Sequence, residues 1–429
     1  MNKMKKTGVP WLPEIAEDFS VGYVKQYFYV SKDLSDEGEP ERVLKLARAG
    51  IVEKDVTTNE GQMAVSYAGY NKVQVGDLLL NPMDLYSGAN CNVSELNGVI
   101  SPAYSNLRAK RAGTVVPKFY DYYFKSQYWL MAMFAHGKGV SFDNRWTLNN
   151  DALRGYEIPV VPYALQQRIV ERIQAEEKKV DTLIANVQTQ IEKLKAYKQS
   201  VITEIVTKGL DPSVPMKDSG VGLFGSIPAT WSMKKFKHIS DAIGDGIHST
   251  PNYDQDGDVF FINGNNIGAE MLVFKDDTNR INEQEFQSYK QPLLTANTIF
   301  ITLNGATYGK TSFYHGEKVL LGKSAGYITL KEDENKEYVR FYLQSHVAKL
   351  IMELSLLGTT IPNLSLRTLN EFWIPYPPQI EQQRIVSFLS EKIGQIDRLI
   401  AIKQKKIDKL NEYKKSLIYE YVTGKKEVS

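Results

Sequence analysis

The sequence has few of the residues that bind metals or form disulfides. It contains one cysteine, Cys91, and five histidines in 429 residues. A single cysteine cannot form an internal disulfide, and the scattered histidines show no metal-ligand spacing. No apolar run approaches the ~18 residues of a membrane-spanning helix, and residues 1–20 lack the apolar core of an export signal. These absences predict a cytoplasmic, metal-free chain with no membrane association.

An excess of charge of one sign is also lacking. Lys and Arg number 52 and Asp and Glu 50, and the net charge of +2 does not by itself indicate nucleic-acid binding. Residues 1–157 carry 18 basic and 18 acidic side chains, and residues 210–373 carry 15 and 19. The positive excess lies in residues 158–209 (8 against 6) and 374–429 (11 against 7). The length and the 42% apolar content predict two or three domains with their own cores.

The two basic stretches are copies of one another. Residues 158–207 and 374–423 align without a gap at an offset of 216, and 23 of 50 positions are identical, including the run QQRIV. Pro162 and Pro378 stand just before the helical patterns, where proline is tolerated. A fainter match at an offset of 212 relates residues 4–25 to residues 216–237. The chain therefore consists of two related halves that arose by internal duplication.

Both copies carry a seven-residue apolar repeat, which is typical of a coiled-coil seam. Helices of about 44 residues would be about 66 Å long at 1.5 Å per residue. The matching stripes predict that the two helices pack on each other; the alternative is two separate helices, each packed on its own domain. The predicted seam residues are Ile173, Val180, Val187, Leu194 and Val201 in the first copy and Leu389, Ile396, Leu410 and Leu417 in the second, where Lys403 interrupts the stripe.

Outside the repeated segments the two halves diverge. Apolar runs bounded by Gly, Asn and Pro predict strands at 75–81, 258–264, 297–305 and 326–330, and aromatic stretches predict helices at 120–134 and 337–354. Each half is thus predicted to be a mixed α/β globule followed by a long helix. The predicted parts are a globule at 1–157, a long helix at 158–209, a linker at 210–225, a second globule at 226–373 and a long helix at 374–425.

Catalytic motifs are incomplete. The segment 305–311, GATYGKT, is one residue short of a phosphate-binding loop, and no acidic strand supplies a magnesium ligand. The segment 81–84, NPMD, lacks the second proline and the aromatic residue of an amino-methyltransferase pocket, and Cys91 has no candidate base. The triplet 334–336, ENK, lacks the preceding Pro-Asp of a nuclease signature. We therefore expect no catalysis by the chain alone.

The order of the motifs resembles a known family. GSIPATW, a divergent globule, GTTIPNLSLRTLNEFWIPYPP, and then EQQRIV opening a helix that ends in EYKKSLIYEYVTGK are similar to the specificity subunit of type I restriction–modification enzymes. The second half matches over 358–425, and the first over 154–209 with ALQQRIV in place of EQQRIV. GKGVSFDNRWTL at 137–148 replaces the GTTIPNL run, so the first globule resembles a different target-recognition subtype.

The resemblance implies a non-catalytic, DNA-binding subunit. Two target-recognition domains would each recognise one half of a split, asymmetric site in double-stranded DNA, and the long helices would pack antiparallel in a pseudo-two-fold tandem repeat. The helices would dock two methyltransferase subunits, which bring S-adenosylmethionine, and restriction (translocase) subunits would use ATP and Mg²⁺. The chain would need no cofactor of its own. A pseudo-two-fold chain suits half-sites about 34 Å apart on one DNA face.

Base recognition needs hydrogen-bonding side chains on loops. Because Asn and Ser also favour turns, the alternative for each candidate is an ordinary turn residue. Near-neutral globules would contact phosphates through local basic patches, with partners supplying the rest. The patches are Arg108, Lys110 and Arg111; Lys234, Lys235 and Lys237; and Lys310, Lys318 and Lys323. The candidates are His248, Ser249, Thr250, Asn263, Asn265, Asn304, Thr307, Tyr308 and Lys310 in the second globule and Asn81, Tyr86, Asn90, Asn92, Arg108, Lys110 and Arg111 in the first.

Three other functions stay open at the level of sequence. A specificity subunit of another modification system, such as a type II-like partner of a fused nuclease–methyltransferase, would show the same residues. A coiled-coil scaffold that binds only protein would share the helices, and a self-sufficient nuclease or ATPase would need activity in the purified chain. A neighbouring methyltransferase gene favours the specificity subunit, whereas an assembled complex that binds no DNA favours the scaffold.

Overall fold

The computed structural model describes residues 2–47, 50–56, 64–83, 85, 90–139, 146–356 and 363–428. The chain divides into two units, and each long helix contributes to both. Unit 1 comprises Met1–Gln188 with Lys405–Ser429, and unit 2 comprises Thr189–Gln404. Among the described residues, no helix is both long and apolar enough to cross a membrane, and no group of three metal-ligating side chains is found.

Unit 1 is a mixed α/β globule joined to the first part of one long helix and the last part of the other. Its helices are α1 Val24–Tyr27, α2 Pro117–Trp129, α3 Asn150–Arg154 and the start of α4 Tyr163–Lys208. Its strands are β1 Met4–Val9, β2 Leu12–Ala16, β3 Ser20–Tyr23, β4 Phe28–Val30, β5 Val43–Ala47, β6 Gly50–Glu53, β7 Asn71–Val73, β8 Leu78–Leu80, β9 Cys91–Val93, β10 Gly98–Ile100, β11 Ser105–Ala109 and β12 Glu157–Val160.

Unit 2 contains the remaining elements. Its strands are β13 Met216–Asp218, β14 Ser226–Pro228, β15 Ser232–Lys235, β16 Ser240–Asp245, β17 Val259–Ile262, β18 Arg280–Ile281, β19 Thr298–Thr302, β20 Thr311–Phe313, β21 Val319–Leu321, β22 Ala325–Leu330 and β23 Trp373–Tyr376. Its helices are α5 Phe236–Ile239, α6 Glu283–Gln287, α7 Lys336–Gln344, α8 His346–Ser355, α9 Leu366–Asn370 and the start of α10 Gln379–Val422.

The two units share one sheet plan. Unit 1 has four-stranded sheets in the orders β4-β11-β8-β9 and β6-β5-β10-β7, and unit 2 has β16-β22-β19-β20 and β18-β17-β21. In each second sheet one pair is parallel, β5 with β10 and β17 with β21. The β1–β2 pairing Lys5↔Ile15 recurs in β13–β14 as Lys217↔Ile227, at the offset of 212. The tandem repeat predicted from the sequence is therefore confirmed.

The repeated run QQRIV fixes the start of each long helix. Pro162 and Pro378 have no N–H to donate, and the first glutamine of each run donates from Nε2 to a carbonyl just before the proline. Gln166 bonds Val161 O at 2.7 Å, and Gln382 bonds Pro377 O at 3.0 Å. Both glutamines are buried. The duplicated motif thus has a structural role in turning the chain from a strand into a helix.

Within each unit the two long helices run antiparallel. In unit 1, Arg172 Nε contacts Tyr421 Oη at 3.1 Å, and nine residues further along α4 Asp181 pairs with Lys414, seven residues back along α10. In unit 2, Lys198 pairs with Asp397 at 2.7 Å, and this pair repeats Lys414–Asp181 at the offset of 216. The predicted seam residues are buried, except for the half-buried Leu194 and Leu410. The two long helices therefore pack on each other within each unit, and the alternative of two separate helices is wrong.

Each hairpin that precedes a globule packs on the end of a long helix. In unit 1, Ala16 N donates to Thr423 O at 3.0 Å and Asn2 Nδ2 donates to Gly424 O at 3.0 Å. In unit 2, Lys208 Nζ donates to the carbonyls of Phe224 and Ser226 beside β14. Gly209 and Gly424 end the two helices at φ +80° and +73°, which glycine adopts at no steric cost. The β1–β2 hairpin therefore packs on the end of α10 in the same way as the β13–β14 hairpin packs on the end of α4.

The predicted elements differ from the structure in three places. Strands β8, β17 and β19 lie inside their apolar runs and β22 begins one residue before its run, but the helix predicted at 120–134 ends at Trp129 and the helical stretch 337–354 is broken at Ser345. Ser345 caps α8 by accepting a hydrogen bond from Ala348 N, so the chain turns there. The stretch assigned to a linker, 210–225, contains β13 and the buried Phe224. The predicted domain boundaries themselves stay a prediction.

Candidate nucleic-acid interface

Four loops of unit 2 meet at one edge of its sheets. Asp245 at the end of β16 pairs with Gly326, and Thr302 at the end of β19 pairs with Ala325 at the start of β22. In the second sheet, the last residue of β17, Ile262, pairs with the last residue of β21. The segments after β16, β17, β19 and β21 therefore leave the sheets at the same edge, which we call the loop edge of unit 2.

Side-chain hydrogen bonds hold these loops together. Ser324 Oγ donates to Asn263 Oδ1 at 3.1 Å and accepts from Gly264 N at 2.9 Å, joining the loops after β21 and β17. Ile247 N donates to Leu321 O at 2.8 Å, which fixes the loop after β16. Asn304 forms a bridge with Asn363 on the chain that returns toward α9. The edge is thus built by residues far apart in the sequence.

All nine candidates of the second globule lie on the loop edge of unit 2. His248 lies 2.9 Å from the Asp245 carboxylate, and the Asn263 side chain is used within the edge. Six candidates are exposed, namely His248, Ser249, Thr250, Asn265, Thr307 and Lys310, and three are half-buried, namely Asn263, Asn304 and Tyr308. The edge presents imidazole, hydroxyl, amide and ammonium groups, the types that match base edges in the major groove.

Positive charge at this edge comes from lysines without ion pairs. Among the described residues, neither Lys310 nor Lys323 forms a salt bridge, and both are exposed. Lys318, in contrast, pairs with Glu283. The freedom of Lys310 and Lys323 leaves both ammonium groups available for phosphates.

The lysine patch at 234–237 is largely neutralised. Lys235 and Lys237 both contact the Glu371 carboxylate at 2.5 Å, and their hydrogen bonds lower the pKa of Glu371 to about 2. Lys234 Nζ lies 3.5 Å from the centre of the Tyr376 ring and 4.0 Å from Glu334. The expected phosphate-binding contribution of this patch is therefore smaller than the sequence suggests.

Unit 1 places some of its candidates at the equivalent edge. Asn81 follows β8, and its N–H donates to Asn90 O at 2.8 Å. Asn90 Nδ2 donates to Ala47 O at 2.5 Å, and Asn92 is a half-buried residue of β9. Tyr86 lies outside the described residues. Asn81, Asn90 and Asn92 are thus brought together where β5, β8 and β9 meet.

The three basic candidates of unit 1 lie elsewhere. Lys110 and Arg111 follow β11 at its far end, where Ala109 pairs with Phe28, the first residue of β4. Both side chains are exposed. The structure therefore does not place Lys110 and Arg111 with Asn81 and Asn90.

Arg108 connects the two sheets of unit 1. Its Nε bonds Asp77 Oδ1 at 2.9 Å, its Nη1 lies 3.4 Å from Asp33 Oδ2, and its Nη2 donates to Lys72 O on β7 at 2.9 Å. Its side chain is only 14% exposed. Most of the N–H donors of the guanidinium group are therefore already hydrogen-bonded to other groups of the protein.

Two residues of the loop edge of unit 2 were not among the sequence candidates. Ser324 organises the turn between β21 and β22, and Asn363 bridges to Asn304. The segment LGKSAG at 321–326 carries a signal, since a short polar turn separates two apolar runs. Asn363 lies in the GTTIPNL run quoted above, but its pairing with Asn304, 59 positions earlier in the chain, has no local signal.

Comparisons with known proteins show what the chain is similar to. Residues 228–412 match the family model described as the type I restriction modification DNA specificity domain. The type I restriction enzyme MjaVIII specificity subunit of Methanocaldococcus jannaschii is 23% identical over 407 residues, covering 93% of this chain and 86% of the relative. Residues 228–412 therefore form a type I restriction modification DNA specificity domain, and the chain as a whole is similar to a type I specificity subunit.

Further proteins resemble parts or all of the chain. The putative type I restriction enzyme MjaX specificity subunit of the same archaeon is 26% identical over 211 residues, 46% of this chain and 47% of the relative. A chain from a study of complex assembly and conformational transition of the type I R-M system has a TM-score of 0.67 at 16% identity, covering 95% and 98% of the two chains. The HsdS subunit from Thermoanaerobacter tengcongensis has a TM-score of 0.50 at 15% identity, covering 96% and 98%. These structures share the fold of this chain.

The family model covers the loop edge of unit 2 and most of α10. In the first half of the chain, the divergent run 137–148 has residues 140–145 outside the described part. Its flanks form a bridge between Lys138 and Thr147, and Trp146 Nε1 donates to Phe134 O at 2.8 Å. The two flanks of the run are thus held together by contacts within the first globule.

Proposed function

We propose that this specificity subunit recognises a bipartite, asymmetric site in double-stranded DNA, with one half-site bound by each globule. The observation that carries the proposal is the repetition of one sheet plan with different loops at the same edge. A shared scaffold fixes where the loops stand, and the different side chains on them suit different base sequences. Amide and hydroxyl groups provide base discrimination, whereas Lys310 and Lys323 suit the phosphates.

We further propose that the long helices dock methyltransferase subunits, one on each unit. Four exposed apolar residues support this, and each stands three positions after a seam residue, at the g position of its heptad. Leu183 and Tyr413 flank the Asp181–Lys414 ion pair in unit 1, and Leu399 and Tyr197 repeat them at the offset of 216 in unit 2. The same pair of exposed side chains on each unit suits two copies of one partner chain.

The chemistry of the complex then belongs to its other subunits. The methyltransferase subunits would bring S-adenosylmethionine, and restriction (translocase) subunits would bind ATP and Mg²⁺. The specificity subunit would act without catalysis and without a cofactor of its own. The incomplete phosphate-binding motif supports this assignment, since its residues 305–311 form a turn and strand at the loop edge.

An exchange of one globule tests the bipartite site. Residues 226–357 are replaced by those of another family member, and the chimera is assembled with its methyltransferase subunits. Sequencing of methylated sites should show one half-site changed and the other retained. A change in both half-sites, or DNA methylation without sequence preference, would contradict the proposal.

A pair of lysine variants tests the phosphate contacts. Lys310→Ala should weaken DNA binding of the complex and reduce the slope of log K against log salt by about one. Lys217→Ala, on the β13–β14 hairpin of the same unit, serves as the matched control and should leave the slope unchanged. Equal slopes for both variants would remove Lys310 from the interface.

A further inference from the structure

The corner between α7 and α8 is hydrogen-bonded to the end of α4. Gln199 Nε2 donates to Gln344 O at 2.7 Å, and Gln199 Oε1 accepts from Lys349 Nζ at 2.6 Å. Thr203 Oγ1 accepts from His346 N at 2.8 Å, one turn further along α4. One side chain, Gln199, therefore bonds the last residue of α7 and the first turn of α8. We call this contact the α8 clamp.

The other end of α8 supports the turn between β19 and β20. Met352 is buried, and its Sδ lies where a side chain on Gly309 would begin, 2.7 Å from the position of a Cβ. Gly309 also has φ +76°, so the close approach and the backbone both require glycine. Thr307, Tyr308 and Lys310 face Lys349, Met352 and Glu353 across a cleft of about 540 Å³. The position of α8 thus sets the position of three candidate DNA-binding residues.

The α8 clamp is absent from the other copy of the repeat. The segment YKQSVITEIVT at 197–207 corresponds to YKKSLIYEYVT at 413–423, with Lys415 in place of Gln199 and Tyr419 in place of Thr203. Lys415 has no acceptor atom, and its Nζ lies over the Trp129 ring at 5.8 Å instead. Positions 199 and 203 therefore differ where the surrounding helix is largely repeated, which fits an adjustment to the globule of unit 2.

We infer that Gln199 is a positioning residue for base recognition by unit 2, because it fixes α8 on α4 and thereby fixes the β19–β20 turn. The inference rests on the proposed function of the loop edge. Gln199 itself is half-buried on a helix, and both its amide nitrogen and its amide oxygen are bonded to the α7–α8 corner. It affects DNA recognition indirectly: it bonds Lys349 on α8, and Met352 of the same helix contacts Gly309 in the β19–β20 turn.

Two substitutions at one position test the inference in the assembled methyltransferase complex. Gln199→Met keeps the length of the side chain and removes both hydrogen bonds. Gln199→Glu keeps the acceptor for Lys349 and loses only the donor to Gln344 O. Lys195→Met is the matched control, since Lys195 lies one turn away and, among the described residues, pairs with the exposed Glu192 alone. Thermal melting and size-exclusion chromatography first establish that each variant folds and assembles.

The measurement is the ratio of methylation rates on the preferred site and on sites with one base changed. The half-site of unit 2 is identified by the chimera with residues 226–357 exchanged. Gln199→Met should lower the ratio for that half-site about fivefold or more, with a smaller loss for Gln199→Glu and none for Lys195→Met. The ratio for the other half-site should stay at the wild-type value.

Other outcomes decide against the inference. If Gln199→Met and Gln199→Glu keep the wild-type ratios, or weaken both half-sites equally, Gln199 has a structural role only. If Gln199→Met fails to fold, Gln199→Glu decides by the same ratio. If the wild-type complex shows no base preference in the half-site of unit 2, the proposed function fails, and this result is distinct from a failure of the inference.

Discussion

A circular permutant of this chain should fold with almost unchanged stability. In the permutant Ser429 is joined directly to Met1, and the chain is opened between Asp211 and Pro212. The β1–β2 hairpin already packs on the end of α10, through the bonds of Ala16 N to Thr423 O and of Asn2 to Gly424 O. Joining the ends therefore connects segments that are already in contact.

The length of the new connection can be worked out from the existing one. Residues 210–215, six residues, connect Gly209 to the β13–β14 hairpin, whereas residues 425–429 and 1–3, eight residues, would connect Gly424 to the β1–β2 hairpin. The extra closure entropy of eight over six residues is about 0.3 kcal/mol. At the opened site, Lys208 still holds the hairpin through the carbonyls of Phe224 and Ser226. We expect the free energy of unfolding to change by about 1 kcal/mol or less.

Urea denaturation and mapping of methylated sites test this expectation. The permutant should keep the wild-type midpoint within error and direct methylation to the same sites. A control permutant opened inside α4, between Gln188 and Thr189, should not fold, because the cut interrupts a continuous helix. A loss of about 3 kcal/mol or more in the first permutant would show that the two hairpins are not equivalent.

Three further predictions follow from burial and charge. Leu389→Ala should destabilise the protein by about 2–5 kcal/mol in urea denaturation, because the side chain is fully buried, whereas Leu399→Ala, 47% exposed, should change stability by less than about 0.5 kcal/mol. The pKa of Glu371 is about 2, against 4.5 for an ordinary glutamate, so its stabilising effect is complete above pH 4.5 and lost as pH falls toward 2; acid titration of Glu371→Gln should show a shallower loss of stability there. Burial, reinforced by Asp121, raises the pKa of the Cys91 thiol, so a thiol reagent at pH 8 should modify native protein at least about 100-fold more slowly than protein in urea. Equal rates would place Cys91 at the surface.

The long helices and the duplication could be predicted because their signals are local. Ile173 and Leu389 mark the apolar stripe in each copy, and the sequence itself shows the offset of 216. Apolar stripes do not decide whether two helices run parallel or antiparallel. The direction appears in the ion pairs Asp181–Lys414 and Lys198–Asp397, whose partners are about 200 residues or more apart. Such pairs have no local sequence pattern.

The loop edge of unit 2 could be predicted in part for a similar reason. Asn263 and Asn304 follow apolar runs directly, so the ends of the strands could be located and their polar residues chosen. For Arg108 the sequence offers only the residue type, arginine, and this does not reveal that Asp33 and Asp77 bind its side chain. Those carboxylates lie 75 and 31 positions earlier in the chain. A charged residue near the end of a strand is therefore a weaker indication of an exposed binding residue than a polar residue that directly follows a strand.

The division of each long helix between two units has a consequence for biosynthesis. The core of unit 1 includes Leu417, Ile418, Tyr421 and Val422 from the last turns of α10. These residues are made about 230 positions after the rest of unit 1 ends at Gln188. At about 5–20 residues per second, the first globule waits on the order of 10–50 s with part of its apolar surface uncovered. Unit 2, which ends at Gln404, has all its residues earlier, so during translation the second half of the gene product can complete its fold before the first.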